Sequence, residues 1–392
     1  MKKIVTILIF TCLFACEADP VFEPDFFDCD ISGLTQNPSH PRSTEFQNLI
    51  DGIRDAGTPG IMMSVRDKTN GVWSGVSGKA DLKCNIDLLP CNITRVGSTV
   101  KTFTAVSIFM LIEEGKLGLD DPITMYLSDS QLLGLENAHQ STVKDLLQHT
   151  SGIFNYIRSL RFQTASLNDL NKTWYPEDLM AYARGASALF PVGTDADYSN
   201  TNYILLGQII ESITKKPFYV FFEQRIFIPF GLTMTQFAAT DPVPAKIIQG
   251  YTDLYNNRTI INSTQFSGWD YFTADGGLIS NPYDLALFME QLFGGKILKP
   301  ESLIQMLDWT SPSYEDPEGF PTDYGLGIFK IETSLGTGYI HSGDAIGYFA
   351  SMVYFPEYET VISWAANGNY GSIDEHTQSK SAMEHIFKTI LE

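Results

Sequence analysis

Arg95-Val96-Gly97-Ser98-Thr99-Val100-Lys101-Thr102-Phe103-Thr104-Ala105 runs from a short β-like approach, through a glycine, into a long apolar helix. Residues three apart share a helical face, so the Lys101 amine can reach the Ser98 hydroxyl and take or hold its proton. Apolar positions continue through Val106, Phe109, Met110 and Leu111, with Gly115 as a C-cap, which predicts burial of Lys101 at the base of a cleft. Burial disfavours the ammonium and makes a basic amine easier to reach. The same S-x-x-K spacing recurs at Ser141 to Lys144 and at Ser212 to Lys215. Those lysines sit among polar residues or at a helix end and read as solvated.

Outward from that helix the pattern divides. Upstream, Thr44 to Ala56 shows a helical stripe of Phe46, Leu49, Ile50 and Ile53, followed by strand-like Gly60 to Val65 and Gly71 to Ser77 around the turn at Asn70-Gly71. Downstream, helical stretches cover Thr142 to His149, Pro176 to Ala183, Thr201 to Thr214 and Phe218 to Arg225, and one more helix opens at Asn281-Pro282. Strands return at Gly327 to Ile331, Gly338 to His341, Phe349 to Phe355 and Thr360 to Ala365, before a closing helix over Ser379 to Leu391. This order predicts an α/β (α+β) fold: an antiparallel sheet built from both ends of the chain, flanked by terminal helices, with an all-helical lobe inserted. The expected domain is residues 44–392, with a sheet lobe at 44–97 and 277–392 and a helical lobe at 98–276.

Composition bounds the function. Hydrophobic residues make 44% of the 392 and charged ones 18%, which excludes a disordered chain. Lys plus Arg number 26 against 46 Asp plus Glu, a net charge of -20, so phosphate is repelled and nucleic acid is not an expected partner. None of the six histidines forms H-E-x-x-H or a Cys/His zinc spacing, and there is no G-x-S-x-G, Walker lysine loop or G-x-G-x-x-G. Neither a metal nor a cofactor is indicated.

At the N-terminus, Lys2 and Lys3 precede an apolar run from Ile4 to Ala15, too short to span a bilayer but suited to a signal peptide over residues 1–15. Leu13-Phe14-Ala15-Cys16 resembles a bacterial lipobox, which implies an exported lipoprotein of the cell envelope held in the membrane through Cys16; simple cleavage is the alternative. Residues 16–43 read as anchor and tether. In an oxidising compartment Cys84 and Cys91 can close a short hairpin disulfide and leave Cys29 odd, or all three can stay thiols.

Two further clusters join Ser98 and Lys101. Tyr198 and Asn200 lie two apart in an extended stretch before a helix and face the same side, and a phenol near an ammonium becomes a base. Tyr255-Asn256-Asn257 has the same spacing but lies in a polar loop. His341-Ser342-Gly343 closes a strand, where the glycine is expected to admit a substrate backbone to the sheet edge.

Ser98-x-x-Lys101, Tyr198-x-Asn200 and His341-Ser342-Gly343, in that order, resemble the three motifs of the penicillin-recognising serine hydrolases, in the branch of class C β-lactamases, serine D,D-peptidases and related esterases. Leu147-Gln148-His149-Thr150-Ser151-Gly152 and Gly276-Gly277-Leu278 match as flanks, and the similarity runs from about Thr44 to Phe387. The resemblance implies a nucleophilic Ser98 with Lys101 or Tyr198 as base. Asn200, His341, Ser342 and Gly343 would hold a small-molecule or peptide substrate, and the backbone N–H groups of Ser98 and Asp344 would form an oxyanion hole. It also implies a serine hydrolase acting through an acyl-enzyme on amide or ester bonds, D,D-carboxypeptidase-like or β-lactamase-like; a histidine in place of a lysine at position 341, with Asp344 following, moves some weight toward neutral esters or amides. A carboxylesterase and a non-catalytic envelope sensor are the alternatives. His149 reads as structural, holding a loop.

Overall fold

The computed structural model describes residues 37, 39–238, 247–266, 272–314 and 316–392. The leader, Cys16, Cys29 and most of the expected tether lie outside the described residues.

The apolar stripe of Phe46, Leu49, Ile50 and Ile53 forms helix α1 (Ser43–Asp55), all four side chains buried. Strands β1 (Gly60–Asp67) and β2 (Gly71–Asp81) follow as a hairpin. A short β3 (Ile86–Asp87) lies on the outer side of β2. The second half of the sheet comes from the far end of the chain: β4 (Thr322–Tyr324), β5 (Phe329–Thr333), β6 (Gly336–Ala345), β7 (Tyr348–Phe355) and β8 (Thr360–Ala366). The order is β3-β2-β1-β8-β7-β6-β5-β4, with antiparallel pairing throughout. The two halves meet where β1 pairs with β8, from Ile61 opposite Ala366 to Asp67 opposite Thr360.

Both faces of the sheet are covered, so its central strands are buried along nearly their whole length. Ile61, Met63, Val65, Phe349, Val353, Ile362 and Trp364 point to one side, against α1 and the closing helix. Met62, Ala350, Met352 and Ala365 point to the other, into the core shared with the helical region. There α2 (Val100–Glu113) is buried all round from Val100 to Leu111, as an apolar helix without a polar face must be. It packs beside α3 (Asn200–Thr214), and α4 (Pro282–Phe293) caps the sheet, with Asn281 as an N-cap that accepts from the Asp284 N–H. The closing helix, α5 (Lys380–Leu391), starts on the Ser379 cap. Each fully buried Leu, Ile or Phe side chain on these faces contributes roughly 2 kcal/mol of apolar transfer.

Four expectations change. The inserted region is not wholly helical: Gln236–Phe237 pairs with Leu278–Ser280, and Tyr251–Thr252 pairs with Ile261–Asn262. Two-residue strands carry no period that a sequence can show. Two helices rather than one lie between Gly277 and the returning strands, because Pro300 starts a second at Pro300–Met306. The end of the expected tether is docked: His40 is buried with its ring 5.2 Å from that of Phe46, and Arg42 donates to the Thr389 and Ile390 carbonyls of α5. Cys84 does not pair with Cys91. Cys84 is a free, exposed thiol, whereas Cys91 is disulfide-bonded to a partner outside the described residues.

The strand holding His341 also runs further than expected, to Ala345, but β5 pairs with it only as far as Ile340. From His341 onward that side of β6 is open, and the turn before α2 fills part of it. A Cβ on Gly343 would lie 2.1 Å from the Val96 carbonyl oxygen, and one on Gly97 would lie 2.5 Å from that of Asp344. Gly343 therefore admits the turn that carries Ser98 rather than a substrate backbone. Gly343→Ala is expected to force the two segments apart and lower stability by about 2 kcal/mol, read from the urea midpoint, while an alanine at the exposed, unhindered Gly52 inside α1 is expected to raise stability by up to about 1 kcal/mol.

Candidate active site

Thr94–Arg95 pairs with Leu278–Ser280, and the chain then turns through a single 3-10 turn, Gly97–Thr99, into α2. Gly97 takes φ +48°, and the Thr99 N–H and hydroxyl both return to the Val96 carbonyl. That turn leaves Ser98 half-buried at the mouth of the helix and puts Lys101 one turn deeper, fully buried. The Lys101 Nζ donates to Ser98 Oγ at 2.9 Å and to the Asp275 backbone carbonyl at 2.5 Å. The two decoy pairs do not share this setting. Lys144 is bonded to Asp308 at the surface, and Lys215 ends α3 in a left-handed cap.

Tyr198 arrives on an extended strap just before α3. The Lys101 Nζ lies 4.9 Å from the centre of its ring and 5.7 Å from that of Tyr203. Two side chains fix the strap: Asn155 Nδ2 donates to the Tyr198 carbonyl at 3.1 Å, and the Ser199 N–H donates to His149 Nδ1 at 3.1 Å. His149 is itself buried with φ +60° and its ring 4.6 Å from Tyr198. Because Nδ1 accepts, the imidazole is neutral with its proton on Nε2. Burial, then the Lys101 charge, holds its pKa well below the ordinary value. His149 thus orients the tyrosine, the loop-holding role read from the sequence.

Ser98, Tyr198, Asn200, His341, Ser342 and Asp344 all line one cleft of about 440 Å³. Its apolar wall comes from Phe329, Ile331, Ile340 and Met383, none of which carried a sequence signal beyond strand or helix periodicity. Asn200 is 5% exposed and its Oδ1 has no hydrogen-bond partner among the described residues, which leaves an acceptor for a substrate N–H. Ser342 Oγ is 2.9 Å from Ser351 Oγ. Gly343 is absent from the lining, for the reason given above. Tyr255, of the decoy Y-x-N, is exposed.

His341 is 2% exposed, with Nδ1 2.8 Å from the Ser342 carbonyl, so Nδ1 carries the proton and Nε2 is an acceptor. Burial, followed by the Lys101 charge, pushes its pKa down to about 3 against the weaker upward pull of the Ser342 carbonyl. Asp344 is open to the cleft, yet the protein enclosing it and the nearby Asp374 raise its pKa to about 6. Among the described residues lining the cleft there is no lysine or arginine. A second cleft of about 750 Å³ adjoins it across Tyr198, Phe320, Thr322 and Phe329.

A family model described as beta-lactamase matches residues 46–382. A putative penicillin-binding protein, PbpX of Bacillus subtilis (strain 168), is 27% identical over 286 residues, which are 72% of this chain and 65% of that protein. The chain thus spans less than two thirds of that relative's length. Among solved structures, a D-stereospecific amidohydrolase from Streptomyces sp. superposes with a TM-score of 0.74 at 28% identity, over 87% of this chain and 99% of that one. The D-amino acid amidase from Ochrobactrum anthropi SV3 does so with a TM-score of 0.74 at 25% identity, over 88% and 99%.

A buried histidine kept neutral makes stability depend on pH. Its folded pKa of about 3 lies below the ordinary 6.5, so the unfolded chain binds the extra proton between those values. The stability tied to neutral His341 is complete above 6.5 and is lost as pH falls toward 3. One such group gives a slope of at most about 1.4 kcal/mol per pH unit. Urea midpoints of His341→Asn are expected to fall less steeply than wild type over that window.

Proposed function

The chain belongs to the beta-lactamase family, and from that premise we propose that it is a serine hydrolase working through an acyl-enzyme on small amide substrates, with Ser98 as nucleophile. The 2.9 Å contact between Lys101 Nζ and Ser98 Oγ carries this reading, because it places a proton-handling amine on the one half-buried serine at the mouth of α2. Ser98 Oγ attacks the carbonyl carbon and gives its proton to Tyr198 or Lys101. That proton passes to the leaving nitrogen as the C–N bond breaks, and water then releases the acyl group. The backbone N–H groups of Ser98 and Asp344 would receive the developing oxyanion, worth about 3 kcal/mol each.

Within this class we favour amides whose leaving side carries no carboxylate. D,D-carboxypeptidase-like and β-lactamase-like substrates present a carboxylate, and the cleft offers it hydroxyls and a neutral imidazole but no lysine or arginine among its described lining residues. Likeness to a D-stereospecific amidohydrolase supports the same direction. Esters satisfy the neutral site equally well and form the second reading. A non-catalytic sensor would acylate without release. The leader and Cys16 add the proposal of a cell-envelope lipoprotein.

Intact-mass spectrometry over time with a D-amino acid amide, a D-Ala-D-Ala peptide, a penicillin and a p-nitrophenyl ester is expected to show transient acylation and turnover, fastest on the amide. Ser98→Ala is expected to lose all covalent labelling by a fluorophosphonate while keeping the wild-type melting curve; undiminished labelling of that variant removes the assignment. Labelled palmitate is expected on the full chain expressed in a bacterium, and none on Cys16→Ser.

A further inference from the structure

Lys101 and Tyr198 compete for the Ser98 proton, and a third titratable group lies behind them. Asp275 is fully buried. Its backbone carbonyl accepts from Lys101 Nζ at 2.5 Å, and its carboxylate Oδ2 accepts from the Tyr156 hydroxyl at 3.1 Å. Its Oδ1 has no hydrogen-bond partner among the described residues. An isolated carboxylate at such depth costs several kcal/mol unless an opposite charge offsets it. Burial is the largest influence and leaves its pKa raised; the Lys101 charge opposes it most, followed by hydrogen bonds from Thr273 and Tyr156. Of the other titratable groups facing the amine, His149 and His341 are neutral and Tyr203, whose pKa burial raises, presents its ring; Tyr198, on the Ser98 side, is the one that can join Asp275 as an anion.

We infer that Asp275 is a positioning residue that holds Lys101 as an ammonium, so that the lysine donates to Ser98 Oγ and the serine proton goes to Tyr198. This rests on the acyl-enzyme reading above for its consequence, though not for its geometry. The step balances without another reactant. The Oγ–C bond forms as the Ser98 proton moves to the Tyr198 phenolate, the same proton then goes to the leaving nitrogen as the C–N bond breaks, and Lys101 begins and ends with three protons. The sequence alone points past this residue, since Asp275 lies one position before Gly276-Gly277-Leu278 and belongs to none of the three motifs.

Asp275→Asn keeps the side-chain shape, an acceptor for Tyr156 and the backbone carbonyl that Lys101 uses, and removes only the charge. In protein carrying ¹⁵N at the lysine side chains, the Lys101 resonance is identified by its loss in Lys101→Gln and followed against pH. Wild-type Lys101 is expected to be charged at neutral pH, and its midpoint is expected to fall by about one pH unit or more in Asp275→Asn. The alkaline limb of the pH profile for Ser98 labelling should move down with it, a change that a purely structural residue would not produce. An unmoved Lys101 midpoint in a folded Asp275→Asn overturns the inference, and so does a wild-type Lys101 that is neutral at neutral pH; the second measurement decides alone where the variant does not fold. The titration needs no substrate. An unreactive Ser98 beside a shifted Lys101 midpoint would therefore count against the hydrolase reading and leave the role of Asp275 standing.

Discussion

Two glycines hold the site together. Gly97 in the turn before α2 and Gly343 in β6 let backbone touch backbone at distances no side chain permits, and through that contact the helix carrying Ser98 and Lys101 is set against the sheet carrying His341 and Asp344. Everything else in the cleft is arranged around this junction. The turn has its own support, with Val96 hydrogen-bonded to Leu278 and the Thr99 hydroxyl returned to Val96, so its shape does not depend on a bound ligand. In the function proposed above, a serine held in this way would meet a substrate without first reorganising, which is where electrostatic stabilisation is most effective.

Around that junction the protein gathers a set of buried titratable groups, the Lys101 amine, the Asp275 carboxylate, the His149 and His341 imidazoles and the Tyr156 and Tyr203 phenols, with Tyr198 half-buried beside them. Their states are mutually dependent. Burial, and after it the charge on Lys101, keeps both histidines neutral, their hydrogen-bond partners fix which nitrogen carries the proton, and neutral imidazoles can sit beside an ammonium without repelling it. The arrangement concentrates one positive charge where the serine needs it and keeps other cations off the cleft wall. In a chain with a net charge of -20, that single buried ammonium is a strong local exception.

The elements that the sequence displayed best are those with a long period or a sharp punctuation mark. The buried faces of α1 and α2, the strands covered on both sides and the Asn281-Pro282 start of α4 were all legible, because burial on a regular element leaves a regular pattern. Ser98, Lys101, Tyr198, Asn200 and His341 were legible by their spacing, and the structure brings all five to one cleft or its floor. Contacts between distant segments were not. Nothing local marks Gly343 as the seat of the Val96 carbonyl, Asp275 as the neighbour of Lys101, or Arg42 as a clamp on α5, since each depends on a partner far along the chain. The Cys84–Cys91 pairing failed for the same reason, as closeness in sequence says little about which thiol is near in space.

The seam between β1 and β8 has a bearing on when the molecule becomes competent. A strand from the first fifth of the chain waits for a partner from its last tenth, and closing so long a loop is an entropic expense met only once nearly all of the polypeptide is present. Until then β6 has only its neighbours β5 and β7, and the two halves of the sheet are not joined. The cleft is thus assembled late in synthesis, when the last strands of the sheet are in place.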